Sequence, residues 1–199
     1  SIHAYTGHTY SVAALKLSPL VFVRPGELRK AEWAEIDLEK GEWNIPARRM
    51  KNWIRKGITT PHLVPLAPQA VAILRDLHPL TGRGVHVFAG RNPRKCMSAA
   101  AVNAALQRMG YDTQEDITGH GFRAMARTIL HEELGVDRDV IEHQLAHSVP
   151  DALGTAYNRT KFMKDRRRMM DLWADYLGRL KAGAEVVELH GRGRHECSV

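Results

Sequence analysis

The chain has 199 residues, a formal net charge of +7 and a pI of about 9.6, and 44% of its residues are hydrophobic. This length and apolar share are typical of one globular domain and argue against disorder. No apolar run approaches the ~20 residues of a bilayer span, and no secretory leader is visible, so we expect neither export nor membrane insertion. The basic excess favours a polyanionic partner, because neutralising phosphates releases condensed counterions.

The two cysteines, Cys96 and Cys197, lie far apart in the sequence, so we predict no disulfide framework and a reducing cytoplasm. His190 and His195 lie close to Cys197 near the end of the chain. The polar composition there favours a solvated terminus over a metal site. We therefore expect no metal and no cofactor.

The first elements are predicted to be helical. Residues 11–28 carry apolar side chains at helical spacing, and we expect Pro19 and Pro25 to interrupt this helix. Pro25 followed by Glu27 is typical of the first turn of a new helix. Arg24 is therefore expected at a helix junction.

Three short segments then favour strands of a small antiparallel sheet: residues 35–38, 41–45 and 62–66. The connection over residues 46–61 is predicted to be an extended hairpin loop. Its basic residues, among which Met50 and Trp53 are interleaved, are Arg48, Arg49, Lys51, Arg55 and Lys56. This mixture favours a surface that lies along a nucleic-acid backbone, and solvated loop charges are the alternative.

The rest of the chain is predicted to be helical, over residues 68–77, 98–109, 120–134, 140–146, 151–157 and 161–180. Ser98 and Asp137 are expected to cap two of these helices. The last helix is amphipathic, and we expect its inward face to carry Met169, Leu172, Trp173, Tyr176 and Leu177. The fold class is therefore α+β, mainly α, with one small three-stranded antiparallel sheet.

His120 and Arg123 are the most informative candidate site residues. They lie three apart at the start of a helix, so they share one face and can bind one anion, of which phosphate is the natural candidate. Arg24 and His147, each expected at a helix end, supply further donors. The ordinary alternatives are an ion pair between Arg24 and Glu27 and helix-terminal hydrogen bonds for the histidines.

No metal-ligand array or glycine-rich phosphate loop accompanies these basic residues. Attack on a phosphodiester without a metal needs a side-chain nucleophile, and tyrosine serves when nearby cations stabilise its phenolate. Five tyrosines are available: Tyr5, Tyr10, Tyr111, Tyr157 and Tyr176. Tyr176 fits a core position, but spacing alone does not separate Tyr157 from the others.

Six ordered segments resemble the successive motifs of prophage and genomic-island integrases, which are tyrosine recombinases: RPGEL at 24–28, RMK at 49–51, HLVPL at 62–66, HGFR at 120–123, LAH at 145–147 and AYNR at 156–159. The resemblance runs from about residue 11 to residue 180 and includes RRRMM at 166–170 and WADYL at 173–177. Six motifs in the same order are far more specific than any one of them.

The resemblance implies a helical DNA breaking-rejoining catalytic domain and a catalytic residue at each matching position: Arg24, Lys51, His120, Arg123, His147 and Tyr157. Lys51 is the hairpin lysine of the match, with Lys56 as the alternative because residues 52–60 form a longer and more basic stretch than usual. The implied mechanism is attack by Tyr157 on a phosphodiester. It gives a 3′-phosphotyrosyl bond and a free 5′-hydroxyl, which later attacks the phosphotyrosine of the partner strand.

We predict a catalytic domain over residues 1–181 and a C-terminal tail over residues 182–199. Members of the family place a core-binding domain, and often an arm-binding domain, before the catalytic domain, so we expect this chain to be part of a longer integrase. The resemblance also implies its partners: double-stranded DNA at attachment sites, a tetramer on two duplexes, and accessory DNA-bending or directionality proteins. It implies a cytoplasmic, nucleoid-associated location in a bacterial host, without a membrane.

Three other functions compete with this interpretation. A non-catalytic DNA-binding remnant would use the basic residues only as phosphate contacts. Type IB topoisomerases and telomere resolvases share the catalytic set, but the integrase-like motifs disfavour both. A metal-dependent nuclease would need carboxylates near His120 and His147, where Asp116 and Glu142 are the nearest and match no metal-binding motif.

Overall fold

A computed structural model of the chain describes residues 2–55, 57–147 and 162–183. These residues form seven α-helices: α1 Thr9–Val21, α2 Pro25–Arg29, α3 Pro68–Thr81, α4 Ala101–Arg108, α5 Gly121–Glu132, α6 Arg138–Gln144 and α7 Met163–Ala182. They also form three short strands: β1 Ile36–Asp37, β2 Glu42–Ile45 and β3 His62–Pro65. One-turn 3-10 helices occupy Ile2–Ala4, Trp33–Glu35 and Ala47–Arg49. The predicted fold class is confirmed.

The three strands form one antiparallel sheet in the order β1-β2-β3, and each lies within its predicted range. Trp43 of β2 is opposite Ile36 on one side and Val64 on the other. Trp43 and Ile45 are fully buried whereas Asn44 is exposed, which is the alternation expected of a strand with one face on the core.

Helix α1 continues through Pro19, so the expected interruption at this proline is wrong. A proline keeps a helical φ but removes one N–H donor and crowds the carbonyl four residues before it, and here the proline falls in the last turn of the helix. The Pro19 carbonyl accepts a hydrogen bond from the indole of Trp173 at 2.7 Å. The helix ends at Val21, the next residue, Phe22, has a left-handed φ of 34°, and Pro25 begins α2 as predicted.

The loop between β2 and β3 does not turn all of its basic and apolar residues to solvent. Met50 is only 8% exposed and belongs to the core, so its expected place on a nucleic-acid surface is wrong. Arg49 also points inward, with Nη2 2.7 Å from Glu35 Oε2, and it donates to the carbonyls of Glu27 and Lys30. Trp53 is partly exposed, at 39%.

Two predicted helix caps have different outcomes in the structure. Asp137 caps α6 by accepting hydrogen bonds from the backbone N–H groups of Asp139 and Val140, as predicted. Ser98 does not cap α4, because that helix begins later, with Ala100 at the N-cap position and no side-chain cap. The helix predicted over residues 151–157 lies outside the described residues.

The inward face of α7 differs in part from the predicted one. Met169 and Trp173 are buried as expected, but Leu172 is 39% exposed. The buried positions 166, 169, 170, 173 and 174 follow helical spacing, and position 172 falls outside that stripe. Arg166 therefore occupies a buried position on this helix.

The apolar core has two clusters of buried residues. The larger lies mainly between α1, the sheet, α3 and α4, and the smaller between α5, α6 and α7. Phe22, directly after α1, belongs to the smaller cluster, where it packs edge to face on Trp173 with 6.3 Å between ring centroids. This contact fixes the junction between α1 and α2 at the boundary between the two apolar clusters. No helix in the described part of the chain is both long and apolar enough to cross a membrane.

Candidate active site

The C-terminal end of α6 gathers three basic side chains. Each of three consecutive backbone carbonyls accepts a hydrogen bond from one of them: Gln144 O from His62 Nε2 at 3.1 Å, Leu145 O from Arg123 Nη2 at 2.8 Å, and Ala146 O from Arg24 Nη2 at 3.3 Å. Carbonyls in the last turn of a helix lack partners within the helix, and the helix dipole favours cations beside them. The end of α6 therefore positions parts of three distant segments.

Arg24 is the N-cap residue of α2, at the predicted helix junction. Its Nη1 forms an ion pair with Glu27 Oε1 at 3.0 Å, and its backbone N–H donates to Glu27 Oε2 at 3.1 Å. Glu27 is buried, so this carboxylate is a fixed partner. The ion pair that the sequence left open is therefore present, and it holds the same guanidinium that reaches Ala146 O.

Arg123 is a buried residue of α5 that links the end of α1 to the end of α6. Its Nη1 donates to Phe22 O at 2.8 Å and its Nη2 to Leu145 O at 2.8 Å. Burial lowers the pKa of Arg123 to about 10, and the charge of Arg24 acts in the same direction. Arg123 remains cationic at neutral pH.

His147 follows α6 after a sharp turn, in which Ala146 has a φ of 51°. Its Nδ1 lies 2.6 Å from Glu142 Oε2, and its Nε2 lies 3.5 Å from Arg123 Nη2. The ring is 44% exposed. Arg24, Arg123 and His147 thus converge at one partly open place on the surface.

The other predicted site residues are not joined to this group by hydrogen bonds in the part of the chain that the structure describes. His120 is the N-cap residue of α5 and is exposed; its backbone N–H donates to Thr118 Oγ1 at 3.2 Å. Lys51 is exposed in the loop after the 3-10 helix. Lys56 and Tyr157 lie outside the described residues.

Arg166 and Gln144 form a buried pair beneath the site that the sequence did not reveal as such. Nε and Nη2 of Arg166 donate to Gln144 Oε1 at 2.9 and 2.7 Å, and Nη2 also donates to Leu63 O at 2.6 Å. Burial lowers the pKa of Arg166 to about 10. The pair ties α7 and β3 to the end of α6, and an arginine on the buried stripe of α7 was its only sequence signal.

His62 is a neutral histidine next to the cationic site. Burial lowers its pKa to about 3, and the charges of Arg166, Arg24 and Arg123 act in the same direction, partly offset by the hydrogen bond with Gln144 O. A neutral ring that faces a carbonyl with Nε2 carries its proton there. His62 therefore contributes one donor to the end of α6 without adding positive charge.

The site offers fixed cationic donors that suit the oxygens of a phosphodiester. Two guanidinium groups and an imidazole converge, and each guanidinium has more N–H donors than its protein partners occupy. Among the described residues, no group of three His, Cys, Asp or Glu side chains is arranged to hold a metal ion.

The sequence matches the phage integrase family over residues 3–163. The integrase of Enterobacteria phage P4 is 42% identical over 182 residues, covering 87% of this chain and 42% of the relative. The prophage integrase IntA of Escherichia coli strain K12 is 38% identical over 189 residues, covering 90% of this chain and 44% of the relative. The chain thus spans less than half the length of these relatives.

Two solved structures share the fold. The XerA recombinase matches with a TM-score of 0.57 at 16% identity, over 92% of this chain and 60% of its own. The integrase from mycobacterium phage Brujita matches with a TM-score of 0.61 at 18% identity, over 85% of this chain and 53% of its own. Because the family match covers most of the sequence and a curated integrase is 42% identical over 87% of this chain, this chain belongs to the phage integrase family of tyrosine recombinases.

Proposed function

We propose that the chain is the catalytic part of a site-specific DNA recombinase, which cuts double-stranded DNA and rejoins it through a 3′-phosphotyrosyl bond to Tyr157. The observation that supports this most is the anchoring of Arg24 and Arg123 on adjacent carbonyls, next to His147, in a chain of the phage integrase family. Residues 1–181 form the catalytic domain in this proposal, and residues 182–199 form its tail.

The two arginines bind the scissile phosphate. Arg24 and Arg123 are each held by two oxygen acceptors of the protein, and a guanidinium has five N–H donors, so donors are left for phosphate oxygens. Bidentate, charge-assisted hydrogen bonds from both sides offset the negative charge that gathers on the equatorial oxygens in the transition state. Because both groups are fixed before DNA binds, little reorganisation is needed.

The nucleophile and the general acid act on opposite sides of the phosphorus atom. The oxygen of Tyr157 forms the new bond to phosphorus while the bond to the 5′-oxygen breaks, and Lys51 gives that oxygen its proton as general acid, with Lys56 as the alternative. His120 and His147 bind the phosphate or assist the transfer of the tyrosine proton. One ester replaces another, so rejoining needs no external energy source.

The DNA partner, the assembly and the location follow from the same proposal. The substrate is a pair of attachment sites, the active assembly is a tetramer on two duplexes, and accessory DNA-bending or directionality proteins set the outcome. The chain then works on the nucleoid in the cytoplasm of a bacterial host. Integration or excision of a prophage or genomic island is the biological result.

Covalent trapping tests this function. The chain and a Tyr157→Phe variant are incubated, in chelator, with a nicked suicide duplex that spans the junction between the mobile element and its host chromosome. We expect a slowly migrating adduct on a denaturing gel with the wild-type chain and none with the variant. A shift of the duplex on a native gel without any adduct, also after longer versions of the protein are tried, would instead favour a DNA-binding remnant.

A further inference from the structure

We propose that Glu142 is a positioning residue for His147: its carboxylate holds the imidazole with the ring proton on Nδ1 and with Nε2 turned toward Arg123. The role of this arrangement in DNA cleavage rests on the proposed function. The arrangement itself is a property of the folded chain, so it can be tested without DNA.

The contact between the two side chains is short and well defined. Glu142 Oε2 lies 2.6 Å from His147 Nδ1, and the carboxylate is only 15% exposed. An ionised carboxylate only accepts hydrogen bonds, so Nδ1 must be the donor. The partner of one ring nitrogen sets which nitrogen carries the proton, and this contact therefore fixes the tautomer of the neutral ring.

Glu142 also fixes the main chain of His147. The His147 N–H donates to Glu142 O at 3.0 Å, and the Ala146 N–H donates to His143 O at 3.1 Å. With Ala146 left-handed, these two bonds form the C-terminal capping turn known as a Schellman motif. One residue thus holds both the backbone and the ring of His147.

The carboxylate is itself held in place and kept ionised. Its other oxygen, Oε1, accepts a hydrogen bond from Arg127 Nε at 2.6 Å. Burial alone raises the pKa of Glu142, but the hydrogen bonds from His147 and Arg127 bring it below its ordinary value. The group is therefore a permanent acceptor at neutral pH.

The far side of the ring supports the same tautomer. His147 Nε2 faces Arg123 Nη2, which is a donor, at 3.5 Å. A neutral ring with its proton on Nε2 would set two N–H groups against each other, whereas the Nδ1–H tautomer presents a lone pair. Nε2 is then the atom directed at the phosphate that Arg123 binds in the proposed reaction, where it accepts a proton or, once protonated, donates a hydrogen bond.

The test compares three variants. Glu142→Gln keeps the size of the side chain but removes its charge and adds a donor, so it no longer enforces one tautomer. Glu142→Asp keeps the charge. Glu132→Gln is the control, because Glu132 and Glu142 both line one surface cavity of about 290 Å³, whereas only Glu142 binds His147.

Nitrogen-15 NMR of the histidine rings in the free chain gives the tautomer of His147. We expect the Nδ1–H form in the wild-type chain, in Glu142→Asp and in Glu132→Gln, and a mixture of tautomers in Glu142→Gln. In single-turnover trapping at saturating DNA, we expect adduct formation about 10- to 100-fold slower in Glu142→Gln, with unchanged DNA affinity and partial recovery in Glu142→Asp.

Two results would overturn the inference. One is a wild-type chain in which the neutral ring of His147 carries its proton on Nε2. The other is a rate of adduct formation that falls no further in Glu142→Gln than in Glu132→Gln. Failure of the proposed function looks different, because the wild-type chain itself would then form no adduct. The tautomer measurement still decides the pairing in that case. If Glu142→Gln does not fold, the nitrogen-15 spectrum of the wild-type chain and the rate of adduct formation in Glu142→Asp decide whether Glu142 positions His147.

Discussion

Arg24 and Arg123 donate hydrogen bonds to neighbouring carbonyls, those of Ala146 and Leu145, although Arg24 directly precedes α2 and Arg123 lies in α5. The relative position of the two guanidinium groups is therefore set by the peptide units at the end of α6. Any change in this turn moves both groups together. The turn also carries backbone strain, because Ala146 is not a glycine and has a φ of 51°.

Replacing Ala146 with glycine should stabilise the chain. Glycine adopts the left-handed conformation without the steric cost that a Cβ brings, and we expect a gain of about 0.5–1 kcal/mol in the free energy of unfolding. Urea denaturation measures it. The control is Ala124→Gly, at an exposed position inside α5, where the same substitution should cost about 1 kcal/mol. Destabilisation by Ala146→Gly would show that the turn is not held as described.

The buried pair of Arg166 and Gln144 should be energetically coupled. Gln144→Leu leaves the Arg166 guanidinium buried without its main acceptor, and we expect it to cost about 2–4 kcal/mol. Arg166→Met completes a double-mutant cycle with Gln144→Leu. The losses in free energy of unfolding of the two single variants should add up to at least about 1 kcal/mol more than the loss of the double variant. Urea denaturation of all four proteins gives this number. Additive costs would mean that the two side chains do not act as a pair.

His62 should make the stability depend on pH. Its pKa is about 3 in the folded chain against 6.5 as an ordinary value, so the unfolded chain binds the proton more readily. The contribution is complete above about pH 6.5 and is lost as the pH falls toward 3. Between pH 7.5 and 5 we expect the free energy of unfolding to fall by about 1–2 kcal/mol. The ring of His62 is only partly buried, and solvent screening keeps the effect in this range.

The substitution His62→Gln isolates this contribution, because the amide can still donate to Gln144 O but does not titrate. Urea denaturation at pH 7.5 and at pH 5 measures this contribution. Between these two pH values, His62→Gln should lose about 1–2 kcal/mol less of its free energy of unfolding than the wild-type chain loses. The variant His131→Gln, at an exposed position, is the matched control and should keep the wild-type profile. Equal pH dependence in all three proteins would contradict a neutral His62.

The neighbouring residues Arg48 and Arg49 should contribute very differently to the stability of the folded chain. Arg49→Gln leaves the buried Glu35 carboxylate without its ion pair, and we expect destabilisation of about 2–4 kcal/mol. Arg48 is exposed, so Arg48→Gln should change the stability by less than about 0.5 kcal/mol. If the loop lies along DNA, Arg48→Gln should also weaken binding and reduce the salt dependence by about one counterion. Urea denaturation and DNA titration at several salt concentrations check both.

The sequence predicted those parts of the fold and site that local signals specify. Pro25 marks the start of α2 and so places Arg24 at a helix junction, and Asp137 marks the start of α6. The strand ranges also held, because alternation of apolar and polar residues is a local property. Each of these signals lies within a few residues of the feature that it predicts.

The features that the sequence missed depend on contacts between distant segments. A basic loop does not reveal that Arg49 turns inward to Glu35, since the two lie on different elements. The pairing of Arg166 with Gln144 spans three elements in the same way. Ser98 is not a cap because α4 begins three residues later, at Ala101, and bounds of helices are the least certain part of a sequence-based prediction.

The measurement that tests the account most directly is the identification of the residue that carries the DNA. The trapped adduct is digested with nuclease and trypsin, and the peptides are analysed by mass spectrometry. Cleavage after Arg138 and Arg159 releases a peptide whose only tyrosine is Tyr157. We expect the mass of a nucleotide on that tyrosine, linked through its 3′-phosphate. A nucleotide on any other residue, or a cut duplex without any protein attached, would contradict the proposed mechanism.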